Sequence, residues 1–529
     1  MSNKILSVIK NRSFLLLVLL IGTYLRFYML ADKSVWFDEA CSLSFAQSGW
    51  SDILNHRYMA KPLYFIILKL WVSLFGYAEF PARALSAIFG VASIPLVYFL
   101  GKELFNKNTG VISAFIFSLS AYQIYYAQQI RNYSLFLFLS ALSMLLFMRL
   151  LRSNKLTLLV FYILTTFLLV FTHPFGLFII IIQNLFFAVF RERSLRTKYW
   201  FTTDIIFCVA LLFLAFIFIS HRNCPSGNEI GFLVKPTPKS LIETLETFSY
   251  AGPRQAHGGL GFGPTGGRLI IPRILTFLFC FLAVFCFLPA KKQDESEGGL
   301  FTHRRSKQLL LMWFFLPIFG AYILSYIILP IYLSRFLIPA SVAFYIMIAH
   351  AIEKISMLKY KLVVITAIVI CMLFSLDILY HPGCDGNWRK LSHYVKYNIK
   401  EGDIIIFAPT DQILPFWYYY KFGDTTPLKG IDKEGKYIEG NWRSSFYDGA
   451  NFVYGIKFNP SKDSIEREVI GLSKNKNDIW FINSPFWIGQ DISKYIHEIL
   501  TKHYSLISKM NYYYDGVEVS RYTLRDDQG

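Results

Sequence analysis

The chain has 529 residues, of which 54% are hydrophobic, 18% aromatic and only 17% charged. A soluble domain of this length does not need so large an apolar fraction for its core, so this composition excludes an ordinary soluble protein and predicts a polytopic α-helical membrane protein. The formal net charge of +18 does not indicate a nucleic-acid partner, because Lys and Arg form short clusters between apolar runs, where they act as topology signals.

Eleven apolar runs are each close to the ~20 residues that a helix needs to cross hydrocarbon. The first follows Lys4, Lys10 and Arg12 and lacks a small-residue cleavage site, which predicts a retained helix and a cytoplasmic N-terminus. The runs cover residues 14–30, 85–101, 110–125, 133–151, 156–172, 175–190, 201–220, 269–290, 308–329, 336–352 and 362–380.

Basic clusters lie in alternate connections between these runs, and the positive-inside bias assigns them to the side of the N-terminus. Eleven spans then put the segment from His381 onward outside the cytoplasm. The short apolar run 61–76 is predicted to be a re-entrant or interfacial helix, since a crossing there would invert every later cluster. We therefore expect a membrane module, residues 1–380, with outer loops 32–84 and 221–268, and an extracytoplasmic domain, residues 381–529.

The stretch 34–64 carries the most suggestive ionisable residues. Asp38 and Glu39 follow the first apolar run, and Lys61 precedes Pro62 at the start of the next one. Ionisable groups so close to a bilayer are costly unless they face water, a partner or a substrate, which favours a functional site over the alternative of a solvated loop.

The outer loops and the last domain contain weaker signals. Ser240 and Glu243 have the spacing of a capping box and predict a short amphipathic helix, whereas the glycine-rich segment 258–267 is typical of a lid or a linker. Residues 387–400 and 491–503 look helical, and residues 403–407, 478–482 and 517–524 look like strands, which together predict a small α/β domain. Cys41, Cys224 and Cys384 share the predicted outer side, where one disulfide or three free thiols are both compatible with their spacing.

The chain contains the motifs WFDEA at 36–40, KPLYF at 61–65, EFPARALSAIFGVASIPLVYFLGKELF at 79–105, YYAQQIRNYSL at 125–135, THPFGLF at 172–178 and YLSRFLIPA at 332–340. Taken together, these motifs resemble the bacterial membrane glycosyltransferases of the GT-C fold, in particular the protein O-mannosyltransferase and aminoarabinose transferase group. The resemblance is strong over about the first 200 residues, looser to about residue 380 and only general in the last domain.

The resemblance implies transfer of a sugar from a polyprenyl-phosphate carrier to a lipid, glycan or protein acceptor at the outer face of the bacterial cytoplasmic membrane. An inverting displacement needs one carboxylate to take the acceptor proton and cations to hold the leaving phosphate. Asp38 fits the base, with Glu39 orienting the acceptor or tuning Asp38. The expected phosphate ligands are Lys61, Arg131 and Arg335, and the expected substrate contacts are Tyr64, Gln128, Tyr133 and His173.

Alternatives remain for individual residues and for the whole chain. Pairing with a lipid headgroup is the lesser alternative for Arg131. Snorkelling for Arg335 and a place at a helix end for His173 are about as well supported as their functional roles. Many relatives carry an acid where this chain has Gln129, which weakens any second catalytic acid or metal site there. A glycan polymerase or ligase with a diphosphate-linked donor, a transporter or flippase, and a non-catalytic assembly factor stay open. The sequence decides neither the sugar, the acceptor, the carrier length nor the oligomeric state, and it leaves open whether a divalent ion is needed.

Overall fold

The computed structural model describes most of the chain in several stretches. It describes residues 2–47, 49–50, 62–153, 155–190, 205, 208–209, 212, 235–250, 270–288, 302–380, 388–408, 412–420, 453–455, 462–473, 476–483, 490–512 and 517–524. For residues 2–12, 453–455, 464, 468, 490 and 511–512 it describes the backbone only. Lys61, Cys224, Cys384 and the glycine-rich segment 258–267 lie outside these residues, as does most of the predicted span 201–220. Whether two of Cys41, Cys224 and Cys384 form a disulfide is therefore untested.

Long helices follow the predicted apolar runs closely. In the N-terminal 190 residues, they are α1 (Ser2–Phe27), α2 (Phe37–Gln47), α3 (Pro62–Phe75), α4 (Glu79–Leu104), α5 (Lys107–Leu119), α6 (Ala121–Ala127), α7 (Tyr133–Arg152), α8 (Leu156–Thr172) and α9 (Gly176–Val189). Next come α10 (Pro238–Tyr250), α11 (Ile270–Phe285), α12 (His303–Ile327), a 3₁₀ turn (Ser334–Leu337), α13 (Ile338–Glu353) and α14 (Leu358–Tyr380).

By length and composition, five helices in the described part of the chain can each cross a membrane, and the bent pair α5 and α6 makes a sixth span if counted as one. Five shorter apolar helices accompany them. Each predicted run except 201–220, which is mostly undescribed, corresponds to a helix or to this bent pair. The prediction of a polytopic helical membrane protein is confirmed.

One predicted run is broken. Residues 110–125 read as a single span, but α5 ends before Ser120 and α6 leaves at 61°. Ser120 has an extended backbone, and its hydroxyl accepts a hydrogen bond from the backbone N–H of Gln123 at 3.4 Å, so it both ends α5 and caps α6.

The capping box predicted at Ser240 and Glu243 is wrong. Helix α10 begins two residues earlier, at Pro238, because the fixed backbone angle of proline suits the first turn. The Ser240 hydroxyl instead accepts a hydrogen bond from the backbone N–H of Thr237 at 3.1 Å. The helix itself is present as predicted, and its last four residues, Thr247–Tyr250, are buried.

The chain divides into two compact units. The first comprises residues 1–30, 57–68 and 81–381, and the second comprises residues 31–56, 69–80 and 382–529. In the first unit, α13 is almost fully buried and packs against α5, α11 and α12. The second unit contains both the stretch that carries Asp38 and the C-terminal segment. The domain boundary predicted after residue 380 separates these two parts of the chain.

The second unit holds the predicted α/β domain. Its elements after residue 387 are α15 (Trp388–Asn398), β1 (Ile404–Ala408), α16 (Ile413–Tyr420), β2 (Val453–Gly455), α17 (Lys462–Ser473), β3 (Asp478–Asn483), α18 (Gln490–His503), β4 (Tyr504–Tyr512) and β5 (Val517–Leu524). The strand order is β2-β1-β3-β5-β4; β2, β1 and β3 are parallel, β5 pairs antiparallel with β3, and β4 pairs antiparallel with β5.

Helices cover both faces of this sheet, which explains why every residue of β1 and β3 is buried and why residues 404–408 and 479–482 are continuous apolar runs. On one face, Ile406 and Phe481 pack with Ile465 of α17 and Ile496 of α18. On the other face, the ring of Phe407 lies 5.1 Å from that of Phe416 in α16.

Candidate functional site

The short helix α6 is buried in the first unit and is anchored by its side chains. The hydroxyl of Tyr122 donates to the backbone carbonyl of Ser334 at 2.8 Å, and the amide of Gln123 donates to the hydroxyl of Ser341 at 2.8 Å. These bonds tie α6 to the segment that carries Arg335. The residues that follow α6 therefore start from a fixed position.

Arg26 stabilises the break between α5 and α6. Its side chain is fully buried, and its guanidinium donates to the carbonyls of Ser118 at 3.2 Å and Phe117 at 3.3 Å, as well as to Gly22 of its own helix at 3.0 Å. Carbonyls at a helix end lack partners within the helix, so a cation there satisfies them. Arg26 is not among the site residues predicted from the sequence, although a single Arg inside an apolar run is itself a functional signal.

Gln128, predicted as a substrate contact, holds the end of α1. Its amide nitrogen donates to the carbonyl of Tyr28 at 2.8 Å and lies 3.3 Å and 3.4 Å from the carbonyls of Leu25 and Arg26. Its amide N–H groups are therefore directed at the main chain. The geometry gives Gln128 a structural role and leaves its predicted substrate contact without support.

Arg131 and Arg335 each act on one of two neighbouring tyrosines. The guanidinium carbon of Arg131 is 5.9 Å from the ring centre of Tyr133, and the ring of Tyr133 is 4.9 Å from that of Tyr126 in a T-shaped arrangement. The positive charge of Arg335 acts on the hydroxyl of Tyr126. The structure thus brings together two cations that are separated by about 200 residues in the chain. We call Arg131, Arg335, Tyr126 and Tyr133 the arginine–tyrosine cluster.

This cluster contains buried hydroxyls that can still form hydrogen bonds. The hydroxyls of Tyr126 and Tyr133 are buried, and neither has a hydrogen-bond partner among the residues that the structure describes. Arg131 and Arg335 are half-buried, so their guanidinium groups are screened less than surface charges. Planar guanidinium groups and phenolic donors are the groups that bind a phosphate oxygen in a dry environment. The cluster can therefore hold a phosphate.

Tyr64 is also fully buried, and it supports the backbone at Arg131. Its hydroxyl is 3.0 Å from that of Ser86, which in turn donates to the carbonyl of Arg131 at 3.2 Å. Tyr64 acts on Arg131 through Ser86 and the main chain. This chain of contacts is a positioning role, different from the predicted contact with substrate.

His173 occupies a helix end, as the structural alternative for it required. Its Nδ1 accepts a hydrogen bond from the backbone N–H of Phe175 at 3.1 Å, and its ring stacks on Phe136 at 4.7 Å and lies 4.8 Å from the ring of Phe336. Only 1% of the residue is exposed. His173 therefore packs directly beside the residue that follows Arg335.

Asp38 and Glu39 lie in the first turn of α2, in the second unit, where the helix dipole favours negative charge. Glu39 is buried, and its carboxylate accepts a hydrogen bond from the backbone N–H of Trp36 at 3.4 Å, which helps to fix the start of the helix. Asp38 is half-buried. The two neighbours therefore have different environments: Glu39 is buried and caps the start of the helix, and Asp38 is the more accessible carboxylate.

Within the described residues, no group of three or more His, Cys, Asp or Glu side chains is arranged to hold a metal ion.

The comparisons agree with the resemblance found in the sequence. Residues 60–220 match the family model described as dolichyl-phosphate-mannose-protein mannosyltransferase. This range includes Arg131, Tyr133 and His173, begins after Asp38 and ends before Arg335. No curated protein matches the chain by sequence.

Solved structures show the fold. ArnT from Cupriavidus metallidurans in the apo state has a TM-score of 0.58 and 11% identity, covering 96% of this chain and 98% of its own. The same protein bound to undecaprenyl phosphate has a TM-score of 0.57 and 11% identity, with the same coverage of 96% and 98%. The oligosaccharyltransferase AglB from Archaeoglobus fulgidus, in complex with an inhibitory peptide and a dolichol-phosphate, has a TM-score of 0.50 and 12% identity, covering 98% of this chain and 75% of its own.

Proposed function

We propose that this multi-pass membrane protein of the GT-C fold is a glycosyltransferase that moves a sugar from a polyprenyl-phosphate carrier to an acceptor at the outer face of the bacterial cytoplasmic membrane. The acceptor is a lipid, a glycan or a protein. The observation that carries this proposal is the arginine–tyrosine cluster. It combines Arg131 and Arg335 with two buried tyrosine hydroxyls that have no hydrogen-bond partner among the described residues.

A lipid-linked phosphate suits this cluster. The donor's phosphate carries negative charge while its polyprenyl tail stays in hydrocarbon, so its ligands must be cations next to apolar helices. ArnT from Cupriavidus metallidurans has been solved with undecaprenyl phosphate bound, which supports the same class of carrier for a chain of this fold. Lys61, which lies outside the described residues, is the third proposed ligand of the phosphate.

In the proposed reaction, the acceptor hydroxyl attacks the anomeric carbon of the donor sugar. The new bond forms between the acceptor oxygen and that carbon, and the bond between the carbon and the phosphate oxygen breaks with its electron pair leaving on the phosphate. Asp38 takes the proton of the acceptor hydroxyl as general base, and the anomeric centre is inverted. Arg131 and Arg335 stabilise the charge that develops on the leaving phosphate.

The exposure of the two carboxylates supports this choice of base. Glu39 is 1% exposed and is engaged with the backbone of Trp36, whereas Asp38 is half-buried at the same helix end. A general base must reach the acceptor, so Asp38 is the better candidate. Glu39 orients the helix start or tunes Asp38.

The deciding experiment measures transfer of labelled sugars from polyprenyl-phosphate donors by the purified full-length protein. Asp38→Asn preserves the shape of the side chain but removes its basicity, so transfer should fall by ~10²- to 10⁴-fold while donor binding and thermal stability persist. Glu39→Gln is the matched control, and we expect it to act mainly on acceptor affinity or on stability. Parental transfer by a folded Asp38→Asn protein would exclude the proposed base.

A second arm identifies the substrates. Mass spectrometry of cell-envelope lipids and glycans, with and without the protein, should show one sugar missing from one acceptor. Activity with diphosphate-linked donors alone would favour a glycan polymerase or ligase, and donor movement across the membrane without transfer would favour a flippase.

A further inference from the structure

Glu79 lies at the centre of a buried network in the second unit. One of its carboxylate oxygens, Oε1, accepts hydrogen bonds from the guanidinium of Arg389 at 2.6 Å and from the hydroxyl of Tyr419 at 2.9 Å. Only 9% of the Glu79 side chain is exposed, against 38% for Arg389. The carboxylate is therefore held by two partners from the C-terminal segment, one on α15 and one on α16.

The same two partners also hold the backbone that leads into α2. The Arg389 guanidinium donates to the carbonyl of Ala31 at 2.8 Å, and the backbone N–H of Arg389 donates to the hydroxyl of Ser34 at 3.4 Å. The hydroxyl of Tyr419 accepts a hydrogen bond from the backbone N–H of Val35 at 2.6 Å while donating to Glu79. Residues 31–35 are thus fixed at three points.

These contacts end three residues before Asp38. Trp36 follows Val35 directly, and its carbonyl accepts the first hydrogen bond of α2, from the backbone N–H of Ala40 at 2.9 Å. Helix α16, which carries Tyr419, packs against α2 itself. The direction in which α2 starts, and with it the position of the Asp38 carboxylate, depends on residues 31–35 and on α16.

We propose that Glu79, Arg389 and Tyr419 are positioning residues that hold the Asp38 carboxylate in place for proton transfer. The C-terminal segment then contributes to catalysis indirectly, by holding Asp38 in position. This inference rests on the proposed function, since it takes Asp38 as the base. Misplacement of a reacting group by about 1 Å costs on the order of 100-fold in rate, so a loosened network should be visible in turnover.

The test uses purified full-length variants Arg389→Lys, Glu79→Gln and Tyr419→Phe. Lysine keeps the charge, but its compact ammonium on a flexible stem lacks the rigid planar guanidinium that directs one NH2 group at both Glu79 and Ala31. Tyr419→Phe removes only the hydroxyl that bridges Val35 and Glu79. We expect kcat to fall by about 10- to 100-fold, with the KM and Kd for donor unchanged, and the acidic limb of the kcat profile against pH to move.

Arg521→Lys is the matched control. Arg521 pairs with Asp478 at 2.6 Å in the sheet of the same unit, an ion pair as short as that between Arg389 and Glu79. A general loss of stability would affect Arg521→Lys and Arg389→Lys equally, and thermal melting of each variant measures it. In addition, Arg389→Lys in an Asp38→Asn background should cause no further loss, because a positioning residue acts only through the group it positions.

The outcomes separate the two proposals. If Asp38→Asn is inactive while folded Glu79→Gln and Tyr419→Phe keep parental kcat, the positioning role is wrong and the base assignment stands. If Arg521→Lys loses kcat as much as Arg389→Lys does, the network is structural only. If Asp38→Asn itself keeps parental activity, Asp38 is not the base, and both the proposed mechanism and the positioning role are wrong.

Discussion

The hydroxyl of Tyr122 donates a hydrogen bond to the carbonyl of Ser334 at 2.8 Å, and both residues are buried. This bond links the helix that leads into Arg131 to the turn that contains Arg335. Two cations supplied by distant parts of the chain therefore share one fixed support.

Tyr122→Phe should lower donor affinity without removing any proposed ligand. The change leaves the buried carbonyl of Ser334 without its partner, at a cost of about 1 to 3 kcal/mol, and frees the Arg335 turn from α6. We expect a roughly tenfold weaker Kd for a polyprenyl phosphate, measured by calorimetry in detergent, from about 1.4 kcal/mol of that cost. Tyr360→Phe is the control, since Tyr360 is 54% exposed. Equal affinity in both variants would show that the bond does not support the donor site.

Arg131→Lys should be far from conservative. If Arg131 holds the donor phosphate with its planar guanidinium, an ammonium at the same place loses one charge-assisted contact of ~1.5 to 3 kcal/mol, which lowers activity about ten- to a hundredfold. Arg149→Lys is the matched control, because Arg149 pairs with Glu103 at 2.8 Å in the same unit. Donor titrations of transfer measure both variants. Parental binding and turnover in Arg131→Lys would move this residue to a structural role.

Gly90→Ala should destabilise the protein. A Cβ atom at Gly90 would lie 2.6 Å from that of Ala127, at the end of α6, and 3.2 Å from Nε of Arg26. Overpacking of this kind costs about 1 to 3 kcal/mol and should lower the melting temperature in detergent. Gly471→Ala is the contrasting change: it lies inside α17 and would meet nothing within 4 Å. There we expect a gain of about 0.5 to 1 kcal/mol, because alanine favours helix. The same melting temperature for both variants would refute the packing argument.

The charge alternation predicts on which side of the membrane the C-terminal segment lies. In a background without native cysteines, Lys400→Cys should react with a membrane-impermeant maleimide on intact spheroplasts, because Lys400 is exposed and predicted to lie outside the cytoplasm. Lys102→Cys, also exposed but in a predicted cytoplasmic connection, should react only after permeabilisation. The opposite pattern would invert the topology and place the proposed chemistry on the cytoplasmic side.

Local patterns in the sequence predict much of the fold. The apolar runs at 133–151 and 156–172 end within about a residue of α7 and α8, because hydrophobic length and flanking charges act locally. The buried strands at 403–407 and 478–482 were predicted for the same reason. By contrast, the break at Ser120 was not, since one serine in an apolar run is only a weak cap signal.

The site was harder to predict because its order depends on distant main-chain atoms. Arg26 acts on carbonyls 91 and 92 residues away, and Gln128 acts on a helix end about 100 residues away. The residues next to Arg26 and Gln128 in the sequence do not indicate that these distant carbonyls are their partners. Motifs correctly drew attention to residues 125–135, but they did not distinguish Arg131, which lies beside Tyr133, from Gln128, which supports α1.

The network around Glu79 has a consequence for biosynthesis. Val35 and Tyr419 are 384 residues apart, and Glu79 and Arg389 are 310 apart. At ~5 to 20 residues per second, a ribosome needs on the order of 15 to 80 s to make the second partner after the first. During that time the segment before Asp38 is already synthesised but lacks these contacts. On our proposal, a nascent or prematurely terminated chain inserts its helices yet cannot align its base, so the enzyme gains full activity only when its last domain has emerged and folded.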